Sequence, residues 1–199
     1  MSQSNWYSLK EIHELGIRTL GTDVFVDRSV RFFGAEHISL GNRVRIDCFA
    51  MISASEHGVT LGSHVHIASG AYLFGSGGEI HFEDFSCVSS RVSLYTVSDD
   101  FVEGHLTNPT VPEEYRRVRR GPVRLGRHAL VGSGSVVLPG VTMEYGAAAG
   151  ALTLVKKSVP ACAIVAGNPA IVLRKRRSRE LLQEREGSYL RSLSGKTSL

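Results

Sequence analysis

The chain has 199 residues, 42% of them hydrophobic, which is long enough to bury one core, and its net charge of +4 is mild. Three cysteines, Cys48, Cys87 and Cys162, are odd in number, far apart and without CxxC spacing, which argues against a disulfide framework and against a zinc site. Every apolar run is cut by Gly, Ser or charge short of the roughly 20 residues of a spanning helix, and the start MSQSNWYSLKEIHELGI lacks the pattern of a secretory signal. The expectation is a soluble, cytoplasmic protein with no membrane insertion.

Residues 1–19 are polar, and Ser8 to Leu15 is compatible with a short helix. From Leu20 a repeat sets in. Openings recur at Leu20-Gly21, Leu40-Gly41, Leu61-Gly62, Phe82-Glu83, Leu125-Gly126 and Met143-Glu144, spaced, apart from one gap, by about three blocks of six. The register is clearest in LGRHAL, VGSGSV, VLPGVT, MEYGAA, AGALTL and VKKSVP, which open on Leu125, Val131, Val137, Met143, Ala149 and Val155. Each block carries a small or β-branched residue four places later. A helix would need apolar residues at three and four residue intervals, and Gly126, Gly132, Gly134, Gly140, Gly146 and Gly150 would weaken it. A period of six predicts a triangular solenoid instead. Each block is one flat side, its first residue points to the axis, three blocks close a coil, and glycines serve the corners. Val24, Ile38, Val59, Ile80 and Val123 are expected as second inward residues.

Between Val97 and Val123 the register is lost, and the loop 98–122 holds three of the six prolines. Loops of this length leaving a compact repeat are usually functional or disordered. Phe101, Leu106, Val111 and Tyr115 predict that this one folds back against a neighbouring chain. The coil region spans 20–173, and a basic tail, 174–199, follows. Ser178 to Leu193 in that tail is helix-compatible. Both terminal segments are natural covers for the solenoid ends; the alternative for each is a solvated helix, in the tail with internal i,i+4 pairs. Glu180, Glu184 and Glu186 dilute the tail's charge, and no aromatic interleaving suits it to nucleic acid.

The blocks LGRHALVGSGSVVLPGVT, the loop before them and the closing AIVAGNPAIVLRKR resemble the hexapeptide-repeat acyltransferases, in particular the galactoside, maltose and virginiamycin-type acetyltransferase branch. The resemblance implies an all-β fold: a left-handed parallel β-helix of hexapeptide repeats with one long inserted loop and short helical ends. It also implies a homotrimer with active sites between subunits and acetyl-CoA as co-substrate. The loop SDDF…LTNPTVP is similar to that of sugar-modifying members found among polysaccharide genes. The implied activity is acetyl transfer to a sugar or nucleotide-sugar hydroxyl or amine in O-antigen or capsular polysaccharide biosynthesis.

Such a reaction needs a base within reach of the attacking group and donors facing the oxyanion. The family's base is a histidine at the start of the inserted loop, where VSLYTVSDD places Asp99. The loop's own histidine is His105, six residues on. His105 suits a hydroxyl acceptor because its ordinary pKa lies near neutrality, while Asp99 would assist an amine, which needs less activation. Each has a plain alternative: His105 as an exposed loop residue, Asp99 or Asp100 as a cap of the turn.

By the same resemblance, Ser133, Gly134, Gly150 and Ala151 fall where the pantetheine arm of CoA passes, and Lys156, Lys157 and Arg174 where its phosphates lie. Corner geometry alone would also explain the glycines, and a solvated basic surface the cations. Two rival readings remain. His64, His66 and His81 invite comparison with the zinc carbonic anhydrases of this fold, but the register sets His81 over Thr60 and away from the other two. A non-catalytic scaffold is the second.

Overall fold

The computed structural model describes residues 5–175 and 178–194. It is a left-handed β-solenoid of about seven turns with three flat faces. The first face stacks Thr19–Leu20, Ile38–Leu40, Val59–Leu61, Ile80–Phe82, Val123–Leu125 and Thr142–Met143 in parallel register. The second runs from Phe25–Val26 through Arg45–Ile46, His66–Ile67, Cys87–Val88, Leu130–Val131 and Ala148–Ala149 to Ala163–Ala166, where Ile171–Lys175 closes it antiparallel. The third stacks Arg31–Phe33, Met51–Ala54, Tyr72–Gly75, Ser93–Tyr95, Val136–Val137 and Leu154–Val155.

The six openings read from the sequence form one ladder, Leu20–Leu40–Leu61–Phe82–Leu125–Met143. From Leu40 onward every member is buried to within 1% of exposure. Ile38, Val59, Ile80 and Val123 form the parallel inner ladder beside it, while Val24 is buried in the turn before the second face. Each such side chain contributes about 1.5–3 kcal/mol by leaving water. The fourth residue of successive blocks, His128, Gly134, Gly140, Gly146 and Leu152, turns a corner with φ of 61°, 70°, 81°, 64° and 55°. Glycine is therefore one solution to the corner among several. The buried fifth residues, Ala129, Ser135, Val141, Ala147 and Thr153, fill the inside of it.

Helix α1 (Leu9–Glu14) begins in a capping box between Ser8 and Glu11. Its Ile12 is fully buried and joins the main core cluster. Helix α2 (Arg179–Ser194) behaves differently: it lies along a corner. There His64, Phe85 and His128 stack ring on ring, with centroids 4.5 and 5.3 Å apart. Tyr189 of α2 meets His64 and Phe85 edge-on, and Glu186 accepts hydrogen bonds from Arg127 and from His128. The tail helix thus commits one of its three acidic residues, Glu186, to the coil.

Candidate functional site

The inserted segment leaves the third face at Thr96. That residue's buried hydroxyl donates to Phe74 O at 2.8 Å and accepts from Gly77 N–H at 2.9 Å. Val97–Asp99 then pairs antiparallel with Val118–Arg120, and Gly121 N–H returns to Thr96 O at 3.0 Å. The insertion is therefore an arm rooted on one residue. Directly opposed residues of an antiparallel pair share a face, so Val97, Asp99, Val118 and Arg120 point together, with Arg116 two residues further along. They line a cavity of about 580 Å³. Its other wall is Phe74, Tyr95 and Leu138 from three successive coils, with the Phe74 and Tyr95 rings stacked at 4.8 Å.

Asp99 is the carboxylate of this cavity. It accepts Asn108 N–H at 3.0 Å and lies 3.8 Å from an Nη of Arg116, whose own Nε is buried without a hydrogen-bond partner among the described residues. Asp100 instead accepts Val102 N–H at 3.0 Å in a local turn, the plain reading for such a residue, and is not part of the lining. His105 is exposed and also lies outside the lining. Of the three candidate bases, the structure brings Asp99 alone to the cavity.

The residues expected along CoA divide between two corners and the closing strand. Gly150, with Ser89 and Gly132, belongs to a column that ends the second face: Ser89 N–H bonds Val131 O, Gly132 N–H bonds Ala149 O and Gly150 N–H bonds Val165 O. Ser133, Gly134 and Ala151 follow on the same corner. Coil stacking itself demands a glycine at 132, because a Cβ there would stand 2.6 Å from the backbone of Gly150 and Ala151. Lys156 and Lys157 are exposed on the corner at the far side of the third face. They sit one coil beyond Leu138, whose N–H bonds Val155 O at 3.0 Å, and so continue the line of the Asp99 cavity. Arg174 is exposed on the closing strand, opposite Ile164.

The three histidines of the carbonic-anhydrase comparison part company. His64 is in the ring stack under α2, His66 bonds Asp47 on the second face, and His81 stands beside Thr60 on the first. Burial, with help from Arg43, pushes the His64 imidazole below its usual range. Among the described residues no group of three or more His, Cys, Asp or Glu is placed to hold a metal.

No family model matches the chain. A curated dTDP-4-amino-4,6-dideoxy-D-glucose acyltransferase of Escherichia coli is 37% identical over 173 residues, 87% of this chain and 89% of that protein. This chain belongs to the hexapeptide-repeat sugar acyltransferases. Among solved structures, AntD, an N-acyltransferase from Bacillus cereus, superposes with a TM-score of 0.90 at 33% identity, covering 96% of this chain and all of that one; it was solved with dTDP and 3-hydroxybutyryl-CoA. A serine variant of AntD, solved with dTDP-4-amino-4,6-dideoxyglucose and coenzyme A, superposes at 0.88. The left-handed β-helix, the acyltransferase activity and acetyl-CoA as co-substrate, which the resemblance implied, accord with this membership.

Sequence reasoning on this acyltransferase missed the cavity wall. Phe74, Tyr95 and Leu138 occupy one outward position in three coils, so stacking the coils by register would have aligned them. Arg116 and Arg120 carried no such signal, since RRVRR holds a single apolar residue, Val118, and shows no period of two.

Proposed function

We propose that this enzyme transfers an acetyl group from acetyl-CoA to the ring amine of a nucleotide-linked amino sugar, a dTDP-4-amino-4,6-dideoxy hexose, in the cytoplasm for surface polysaccharide assembly. The observation that carries this reading is the cavity: one carboxylate, Asp99, set in a wall of Phe74, Tyr95, Val97, Val118 and Leu138. A deoxyamino sugar presents an amine beside a methyl group and matches that lining. In this mechanism Asp99, fixed by Asn108 N–H and by Arg116, orients the amine and takes its proton as nitrogen attacks the thioester carbon. The N–C bond forms, the C–S bond breaks, and the proton ends on the departing thiolate.

The working site takes in two subunits of a homotrimer. Solved variants of AntD replace a serine and an aspartate ten positions apart, a spacing that Ser89 and Asp99 reproduce here. Ser90 and Asp100 share it, but the Asp100 carboxylate is committed to its turn. Ser89 ends the second face and Asp99 lies past the far end of the third, so the two can share a site only if one comes from a neighbouring chain. Ser133, Gly134, Gly150 and Ala151 would then pass the pantetheine arm below Ser89, while Lys156, Lys157 and Arg174 would meet the phosphates. Kinetics of two variants test the base. Asp99→Asn should lower kcat by about 10²–10⁴ and His105→Ala should be nearly silent; the reverse result would transfer the role to His105. A sedimentation mass of one chain at micromolar concentration would remove the trimer.

A further inference from the structure

On the outer surface of the second face, away from the arm, Arg45, Asp47 and His66 form a cluster that the chemistry above does not use. The Asp47 carboxylate, 15% exposed, accepts Arg45 Nε–H at 2.7 Å and His66 Nε2–H at 2.8 Å. Burial works against its charge, yet the hydrogen bonds from His66 and Arg45 hold its carboxyl below the usual carboxylate range. The Arg45 guanidinium also lies over the Trp6 ring, 5.2 Å from its centroid. Arg45 is thus braced at Nε and across one flat side. Its two Nη groups make no hydrogen bond among the described residues, so the edge that grips an oxyanion in bidentate fashion stays open.

The position of this fork is informative. Asp47, Ala68 and Ser89 are successive members of the column that ends the second face: Asp47 N–H bonds Ile67 O and Ala68 N–H bonds Val88 O. Two coil steps of about 4.8 Å put the cluster roughly 10 Å from Ser89, with only the small Ala68 between. On the other side of Ser89 the column runs into Gly132 and Gly150, the proposed bed of CoA. An acceptor whose amine reacts at Ser89 must therefore leave toward Asp47. From a ring amine at C4 to the first phosphorus of a sugar nucleotide there are six bonds of about 1.5 Å, roughly 7 Å along a zigzag, and the second phosphorus lies two bonds further. The diphosphate and the open fork coincide.

We propose that Arg45 binds the diphosphate of the acceptor nucleotide, with Asp47, His66 and Trp6 as the groups that position it. The proposal rests on the sugar-nucleotide reading given above. It is tested by steady-state kinetics and calorimetry on the intact enzyme and on Arg45→Ala and Arg45→Lys. Arg45→Ala should raise KM for the dTDP-amino sugar at least about tenfold and leave KM for acetyl-CoA unchanged. Turnover of the free amino sugar, which has no phosphate, should match that of the wild type. Calorimetry with dTDP alone should show the same loss of affinity, and Arg45→Lys should recover part of it. Equal dTDP affinity in wild type and Arg45→Ala, or an equal loss on the free sugar, would overturn the proposal, as would a changed sedimentation mass with dTDP affinity intact. Arg45-dependent dTDP binding without acyl transfer to any amino sugar would remove the function proposed above and leave this site standing.

Discussion

Arg127, at a corner of the coil, and Glu186, in the middle of α2, are bound to each other through the Arg127 Nε–H, 3.0 Å from each carboxylate oxygen, and through an Nη. The hydrogen bonds from Arg127, and then from His128, hold the Glu186 carboxyl below its usual range against the opposing effect of burial. The same pair pushes the Arg127 guanidinium pKa above its ordinary value. A carboxyl depressed in the folded state adds stability that is complete above the ordinary carboxylate pKa and disappears as pH falls through the depressed value. Acid should therefore release α2 from the ring stack before it disturbs the coils.

Hydrogen exchange of the α2 amides checks this. Protection should fall below about pH 4, and Glu186→Gln should remove both the pH dependence and about 1–3 kcal/mol of docking free energy. The range is below that of a fully buried pair because Arg127 remains partly in water. Protection of α2 that stays constant from pH 7 to pH 3 would contradict it.

The core makes a prediction of a different kind. Leu125 is fully buried between Phe82 and Met143 in its ladder, so Leu125→Ala removes transfer energy and leaves a cavity that flat stacked strands cannot collapse. Urea unfolding should show a loss of about 3–5 kcal/mol. Phe33→Ala, at an outward position 54% exposed, should cost less than about 0.5 kcal/mol. Similar losses at the two positions would mean that the six-residue register does not define the core.

That register is why so much of the fold was legible. Leu40, Leu61, Phe82 and Leu125 face inward because successive coils repeat one geometry, and a repeated geometry prints itself on the sequence. The docking of α2 leaves no such trace, since Glu186 and Arg127 are 59 positions apart and belong to no period. The site falls between these cases. The place of Asp99 at the start of the loop is legible in the sequence, whereas its surroundings depend on how the arm pairs with itself and which outward residues it covers. His105, the loop's own histidine, follows six residues later, and where the arm carries it is not written in the sequence: it is exposed and outside the cavity lining.

Gly132 offers a test of close coil approach. Its missing Cβ would stand 2.6 Å from the Gly150 and Ala151 backbone, which has no rotamer with which to yield. Gly132→Ala should cost about 1–3 kcal/mol, visible as a lowered Tm. Leu152→Gly, at an exposed corner already in the left-handed region with φ of 55°, should stay within about 1 kcal/mol of wild type. A Gly132→Ala protein as stable as wild type would show that the coils separate more easily than their stacking implies.

The donor end of the site can be tested by subtraction. Lys156 and Lys157 stand one coil past Leu138 in line with the Asp99 cavity, whereas Arg174 projects from the closing antiparallel strand, so the three cations need not act together. A lysine that meets a CoA phosphate through a charge-assisted hydrogen bond should contribute about 1.5–3 kcal/mol of binding, roughly a 10- to 150-fold rise in KM on removal. That rise should appear with acetyl-CoA and shrink with a dephosphorylated analogue, because the analogue lacks the group the lysine holds. Each Lys→Ala variant is therefore compared with wild type on both donors, with kcat as the control for damage to the transfer step. A rise confined to acetyl-CoA places that lysine on the phosphate. Equal rises on both donors would mean that it shapes the channel without touching the phosphate, and no rise on either would leave it a solvated surface charge.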